Sequence, residues 1–252
     1  MRKRERHLPS EHTREAIRKR LANPGGESAL SDFILGGIDG VVTTFAIIAG
    51  SAGGQLATST VIILGIANLL ADGFSMAISN YLGTRARQQE IENIRRDEEW
   101  QIKEFPKGER DEIRQIFAQK GFDGEALDEI VDVITSDPEI WVDTMMTEEL
   151  RLSDNSARPI RAGITTFFAF AICGLVPLIP FLIGTALFDD AFAISASLAA
   201  VTFFLLGFSK GIYLNVPKWA SGLQSLVVGS AAAFLAFGAG HLLRQIVEQA
   251  AS

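Results

Sequence analysis

The sequence predicts an all-α integral membrane protein, with five transmembrane helices and a cytoplasmic helical insert between the second and third. Three observations carry this. Hydrophobic residues make up 48% of the 252-residue chain, and the mean hydropathy of +0.22 is high for a chain that folds in water. Charge is segregated: residues 33–83 hold only Asp39 and Asp72, residues 84–161 hold 12 Lys/Arg and 20 Asp/Glu, and residues 162–252 hold three of each sign. Finally, a membrane span needs about 20 apolar residues, and the chain has five stretches that meet this requirement.

Residues 1–32 form a basic cytoplasmic segment. They carry eight Lys/Arg and no apolar core before Phe33, so they read as an anchor with one short helix, Glu11–Ala22, and not as a signal peptide. The segment 33–83 holds the first two spans, Phe33–Ala52 and Thr58–Leu82, joined by the uncharged GGQLATS. In the insert, 84–161, the second span's helix continues to 104. A turn follows at Pro106-Lys107-Gly108, then a helix over Glu109–Lys120 ended by Gly121, and another over Gly124–Thr135. Asp137 as N-cap, with Pro138 in the first helical position, starts a fourth. The segment 162–252 holds the remaining spans, Gly163–Leu187, Ala191–Phe208 and Ala220–Leu243, and Pro177 and Pro180 predict a break in the first of these.

The basic residues set a direction. The N-terminal segment, the insert and the loop carrying Lys210 and Lys218 fall on one side, and Arg244 alone on the other. By the positive-inside rule the N-terminus is cytoplasmic and the C-terminus outside, with Tyr81, Tyr213 and Trp219 in the inner interfacial belt.

Several classes are excluded. Twelve basic against 20 acidic residues leave the insert at −8, which argues against nucleic acid and for cations. The single Cys173 forms no intramolecular disulfide. There is no phosphate loop with a lysine, hence no ATP-driven pump. No Glu-x-x-His is present, hence no ferritin-type di-iron site. His7, His12 and His241 match no metal pattern. Neither an enzyme nor a resident cofactor is expected.

The chemistry concentrates in the first two spans. Asn68, Asp72, Met76 and Asn80 are spaced four apart and share one stripe of the second span. A charge at the bilayer centre costs about 2.5–3.5 kcal/mol on insertion scales, so Asp39 and Asp72 need a reason. Asp39 and Met76 each lie six residues from the inner end of their span, about 9 Å deep. Antiparallel packing then brings them level, with Asp72 one turn deeper. A carboxylate with a thioether suits a borderline ion such as Fe²⁺ and admits Mn²⁺, Co²⁺, Ni²⁺ or Zn²⁺; it gives no advantage to Na⁺ or Mg²⁺. A buried acid could trade its proton for such a metal. Against this stands the plain reading that membrane Met is packing and that Asn68 and Asn80 bond across helices. Gly36 and Gly40 permit close helix approach. In the insert, Glu109 and Glu112 stand three apart, Met145 and Glu149 four apart, and Met145 and Glu148 three apart, so each pair can face one ion. Alone, such an acidic face is ordinarily a solvated surface.

GGIDGVVTTFAIIAGSAGG and ANLLADGFSMAISNYLGTRARQQE, followed by an acidic insert and three further spans, resemble the vacuolar iron transporter family from about Asp32 to Leu243. The resemblance implies five transmembrane helices per subunit, a homodimer and a three-helix cytoplasmic metal-binding domain. It also implies export of Fe²⁺, often with Mn²⁺ or other divalent metals, from the cytosol in exchange for protons. It places Asp39 and Met76 on the translocation path, to which Asp72 is added here. It places Glu98, Glu109, Glu112, Met145 and Glu149 in cytosolic metal capture, with Glu148 an equal neighbour. This chain departs from the family in having Asn68, Asn80 and Gln101 where many members carry glutamate, and Asp72 stands one turn from Met76 in their place. The expected partners are divalent metal ions, protons and the lipid bilayer, and no nucleic acid. The expected membrane is the plasma membrane of a prokaryote or the vacuolar membrane of a eukaryote. The competing readings are a membrane-anchored metal sensor or buffer, and a cation channel without proton coupling.

Overall fold

The computed structural model describes residues 13–22, 29–152, 158–183 and 188–251, and the described residues form helices and turns with no strand. Five helices are long and apolar enough to cross a membrane. The chain divides into two compact units. One combines Ser28–Gly83 with Arg158–Ser252, and the other combines Thr84–Ala157 with the N-terminal segment to Glu27.

In the first unit α2, Ala29–Gly53, is the hub. Around it stand the first part of α3, Thr58–Glu104, and α7, Pro159–Leu175, which passes through a 3₁₀ turn, Val176–Leu178, into α8, Ile179–Ile183. The bundle is completed by α9, Phe188–Tyr213, and α10, Lys218–Ala251. Val41, Ile48, Phe170, Leu178 and Phe203 form the core between them. Glycine sets the spacing: a Cβ on Gly36 would lie 2.4 Å from the Thr166 carbonyl oxygen, and one on Gly40 would lie 2.3 Å from that of Phe170. Backbones this close leave room for nothing larger, so α2 and α7 pack on the face that GGIDG provides. The proline break falls where expected. Pro177 has no N–H to continue the ladder, and its own carbonyl is taken by the buried Ser195 hydroxyl at 2.7 Å.

Span ends differ from the expected ones. The first helix begins at Ala29, a turn before Phe33. The third begins at Pro159 and carries Arg161, and the fifth begins at Lys218. The fourth runs on past Phe208 to Tyr213, placing Lys210 in its last turn and not in a loop. Each extension includes a polar but helix-compatible residue, such as Asp32, Arg161, Lys210 or Lys218, at which a count of apolar residues stops.

The second unit contains α1, Arg14–Ala22, and a small bundle. The Thr13 hydroxyl accepts the Ala16 N–H at the start of the described part of α1; residues 11 and 12 of the expected helix, with His7, lie outside the described residues. The bundle consists of the last part of α3, α4 (Pro106–Gln119), α5 (Gly124–Thr135) and α6 (Pro138–Glu148). The expected turn at Pro106-Lys107-Gly108 is instead the first turn of α4: Pro106 needs no N–H at that position, and Phe105 alone makes the connection. Gly121, with φ +96°, closes the other end. Asp137 caps α6 by accepting from the N–H groups of Glu139 and Ile140. Ile113, Val131 and Met145 are completely buried at the centre. On the outside, Arg114 pairs with Asp128 at 2.5 Å, Arg95 with Asp143 at 2.6 Å, and Arg110 with Asp132.

The glycine contacts predict that Gly40→Ala destabilises the protein by about 1–3 kcal/mol, the usual cost of overpacking. Thermal unfolding of the detergent-solubilised protein should show a lower Tm. Gly108→Ala, where an added Cβ meets nothing within 4 Å, should not lower it.

Candidate metal sites

Two cavities hold the candidate residues, one in each unit. In the helical bundle, Asp39 and Met76 line a cavity of about 400 Å³ with Ser31, Ile34, Leu35 and Ile38 of α2, and with Lys210, Tyr213 and Leu214. Asp39 and Met76 are both half-buried. Two side-chain bonds set the register of α2 against α3. Asn68 donates to the Thr43 hydroxyl at 3.2 Å, and Asn80 donates to the Asp32 carboxylate at 2.9 Å and to the Thr166 hydroxyl at 2.7 Å. This register puts Asp39 level with Asp72, and Met76 a turn nearer the start of α2. The expected level pairing of Asp39 with Met76 is thus corrected by one turn, because the bonds of Asn68 and Asn80, not the ends of the spans, set the register. Both residues still line one cavity. The two asparagines act as helix-to-helix bonds, the plain reading of them.

Asp72 is placed differently. It is exposed, does not line the cavity, and stands within electrostatic reach of Asp39. Its neighbours on the surface of α3 are Ser75 and Ser79, also exposed. In the first part of this helix the buried stripe is Val61, Gly65, Leu69, Gly73 and Ala77, which packs toward the core.

In the second unit Glu98, Glu109, Glu112 and Glu149 converge on a cavity of about 260 Å³, together with Asp97 and Gln101. Glu98 and Glu109 are 4% and 5% exposed, and Glu98 Oε1 and Glu109 Oε2 have no donor. Buried acceptors without donors are costly, and a carboxylate pair this close holds together only by sharing a proton or a cation. Burial, followed by the Glu109 charge and the contact with it, and then by the charges of Glu149 and Glu112, pushes the Glu98 carboxyl up to about 8. Burial and the Glu112 charge raise Glu109, against the opposing contact with Glu98. Glu149 is raised by burial and by Glu112 and Glu109. Among the described residues no three His, Cys, Asp or Glu stand at closed ligating geometry; what these acids share is a cavity and mutual repulsion. A dication entering it would replace protons and relieve both.

The other two predicted insert residues lie elsewhere. Met145 is completely buried in the bundle core, one turn before Glu149, and does not line the acid cavity. Glu148 pairs with the Lys120 ammonium. Asp97 was not singled out from the sequence, although Ile94, Asp97, Glu98 and Gln101 share one face of α3 at helical spacing.

Five membrane-length helices, a half-buried acid beside a thioether, and a separate acid-lined helical unit define a polytopic membrane protein built to handle cations. The chain belongs to the VIT family, whose model matches residues 30–241. It is similar to the vacuolar iron transporter of Toxoplasma gondii, 35% identical over 85% of this chain and 74% of that protein. It is also similar to vacuolar iron transporter 1 of Oryza sativa subsp. japonica, 31% identical over 82% of each, and to the vacuolar iron transporter of Plasmodium falciparum, 29% identical over 87% and 84%.

The raised acids set a pH dependence. A carboxyl whose folded-state pKa is raised contributes stability present at low pH, which is lost as pH rises through that pKa. For Glu98 the window runs from its ordinary 4.5 to about 8. Metal-free protein, melted while tryptophan emission is followed, should lose stability across this window, and Glu98→Gln should flatten the loss. Adding Mn²⁺ at pH 7 should release protons, measurable in weakly buffered solution.

Proposed function

We propose that this protein carries Fe²⁺, and Mn²⁺ with it, across a membrane in exchange for protons. The observation that carries the reading is the shared cavity of Asp39 and Met76. A carboxylate and a thioether on two apolar helices form a donor set matched to a borderline transition-metal dication and to little else. The similarity to proteins named vacuolar iron transporter supports the same cargo.

In this reading the cation is captured by the acids of the second unit. Glu98, Glu109, Glu112 and Glu149 supply hard oxygen donors, and the protons they hold near neutral pH leave as the metal arrives. Asp39 and Met76 then receive it in the membrane. The thioether favours Fe²⁺ over Mg²⁺, and the carboxylate supplies the charge that replaces lost hydration. Proton return drives the cycle. The basic N-terminal segment is on the cytoplasmic side, and export is from the cytosol.

The working unit is a homodimer. A single chain leaves Asp72, Ser75 and Ser79 exposed on α3, and a carboxylate facing hydrocarbon is expensive, so this face belongs against protein or in a water-filled path. A second copy covers it.

Transport of Mn²⁺ into proteoliposomes, with and without an imposed pH difference, tests the reading. Asp39→Ala should reduce flux by more than about tenfold, since even the outer partners of metal ligands are typically worth 10–100-fold. Met76→Ala should reduce flux and narrow the preference for Fe²⁺ over Mg²⁺. Glu98→Gln should raise KM and leave the maximal rate unchanged. Undiminished flux through Asp39→Ala would remove Asp39 from the path; no flux through the wild type would leave a metal buffer as the function; flux indifferent to the pH difference would leave a channel.

A further inference from the structure

The cavity that holds Asp39 and Met76 also holds a cation of its own. Lys210, in the last turn of α9, lines it together with Tyr213 and Leu214. Its side chain is half-buried, and among the described residues neither Lys210 nor Asp39 has an ion-pair partner within 4 Å. Lys210 and Asp39 therefore line one cavity without an ion pair between them. A lysine in the last turn of a helix also favours the helix dipole, but that role would be served by any outward-facing position and does not place the residue in this cavity.

Resting on the reading that the cargo passes Asp39, we propose that Lys210 is the cavity's resident counter-cation and excludes alkali cations from it. Asp39 and Lys210 line the same cavity and are opposite in kind, a carboxyl and an ammonium, so a lysine here counters the pull of the acid on any incoming cation. A monovalent cation entering then meets a weakened field and an ammonium that repels it. It also gains nothing from sulfur, since Na⁺ and K⁺ are hard ions. A transition-metal dication feels twice the attraction to the carboxylate and gains the Met76 thioether, so it alone overcomes the ammonium. Lys210 is thus a specificity-determining residue: its cost is a weaker grip on the cargo, and its return is indifference to the far more abundant monovalent ions. Beside the apolar side chains of Ile34, Leu35, Ile38 and Leu214, charges are screened less than in bulk water.

The test is Mn²⁺ uptake by proteoliposomes of full-length protein, at constant ionic strength, with choline chloride replaced stepwise by sodium or potassium chloride. The wild type should show the same KM throughout. Lys210→Gln should lower KM several-fold in choline and raise it again as Na⁺ or K⁺ is added, with the maximal rate little changed. Lys210→Met should behave alike, and Lys210→Arg should restore indifference. A KM for Lys210→Gln that equals the wild type and ignores Na⁺ would overturn the inference. So would equal loss of rate in Lys210→Gln, Lys210→Met and Lys210→Arg, which marks a structural role. Asp39→Asn run alongside separates the two levels: its normal transport would remove the path itself, whereas its failure beside an unchanged Lys210→Gln removes only the role of the lysine.

Discussion

The near-contact of the α2 and α7 backbones at Gly36 and Gly40 is the constraint on which the membrane unit depends. In hydrocarbon, helices gain little from burying apolar side chains, because lipid tails are as apolar as leucine; association rests on close packing and on bonds between helices. Glycine provides the first: with no Cβ at positions 36 and 40, the carbonyls of Thr166 and Phe170 come against the α2 backbone itself. Asn68 and Asn80 provide the second, tying α3 to α2 and α7. Asp39 lies between the two halves of this arrangement, three residues after Gly36 and one before Gly40. The backbone that carries the acid is therefore held rigidly, while the acid faces a cavity.

The insert solves the opposite problem. It has an ordinary apolar core of Ile113, Val131, Trp141 and Met145, yet it also buries two glutamates, Glu98 and Glu109. A domain of this size has stability to spare only in small amounts, and burial accordingly pushes the carboxyls of Glu98 and Glu109 above their ordinary range. The surface pairs Arg114–Asp128 and Arg95–Asp143, which join α4 to α5 and α3 to α6, are exposed and contribute little; the apolar core holds these helices together.

The five apolar helices were legible because nearly 20 uncharged residues in a row have few alternatives, and the insert because its charges are concentrated between Thr84 and Arg161. Asp137 and Gly121 announced helix ends through their own chemistry. What stayed hidden was register and depth. Helix α9 continues through Ser209 and Lys210 because its ladder meets no breaker before Asn215, which adopts φ +55°; reading Lys210 as a loop lysine concealed its place in the Asp39 cavity. The burial of Glu98 against Glu109 was equally invisible, since ten residues, Pro106 among them, separate them in the chain. Glu148 and Glu149 are neighbours of like chemistry, and only the fold shows that one meets Lys120 and the other the acid cavity.

The break in the third span is fastened. Ser195 gives its hydroxyl proton to the Pro177 carbonyl in a completely buried setting, so the bent segment is pinned to α9 by a bond that no water can replace. Flexing at the proline would strand both groups in an apolar interior, at a cost of about 1–3 kcal/mol each. The joint is accordingly a fixed elbow: α7, the 3₁₀ turn and α9 swing as one piece, and any rearrangement that opens the bundle must pivot elsewhere.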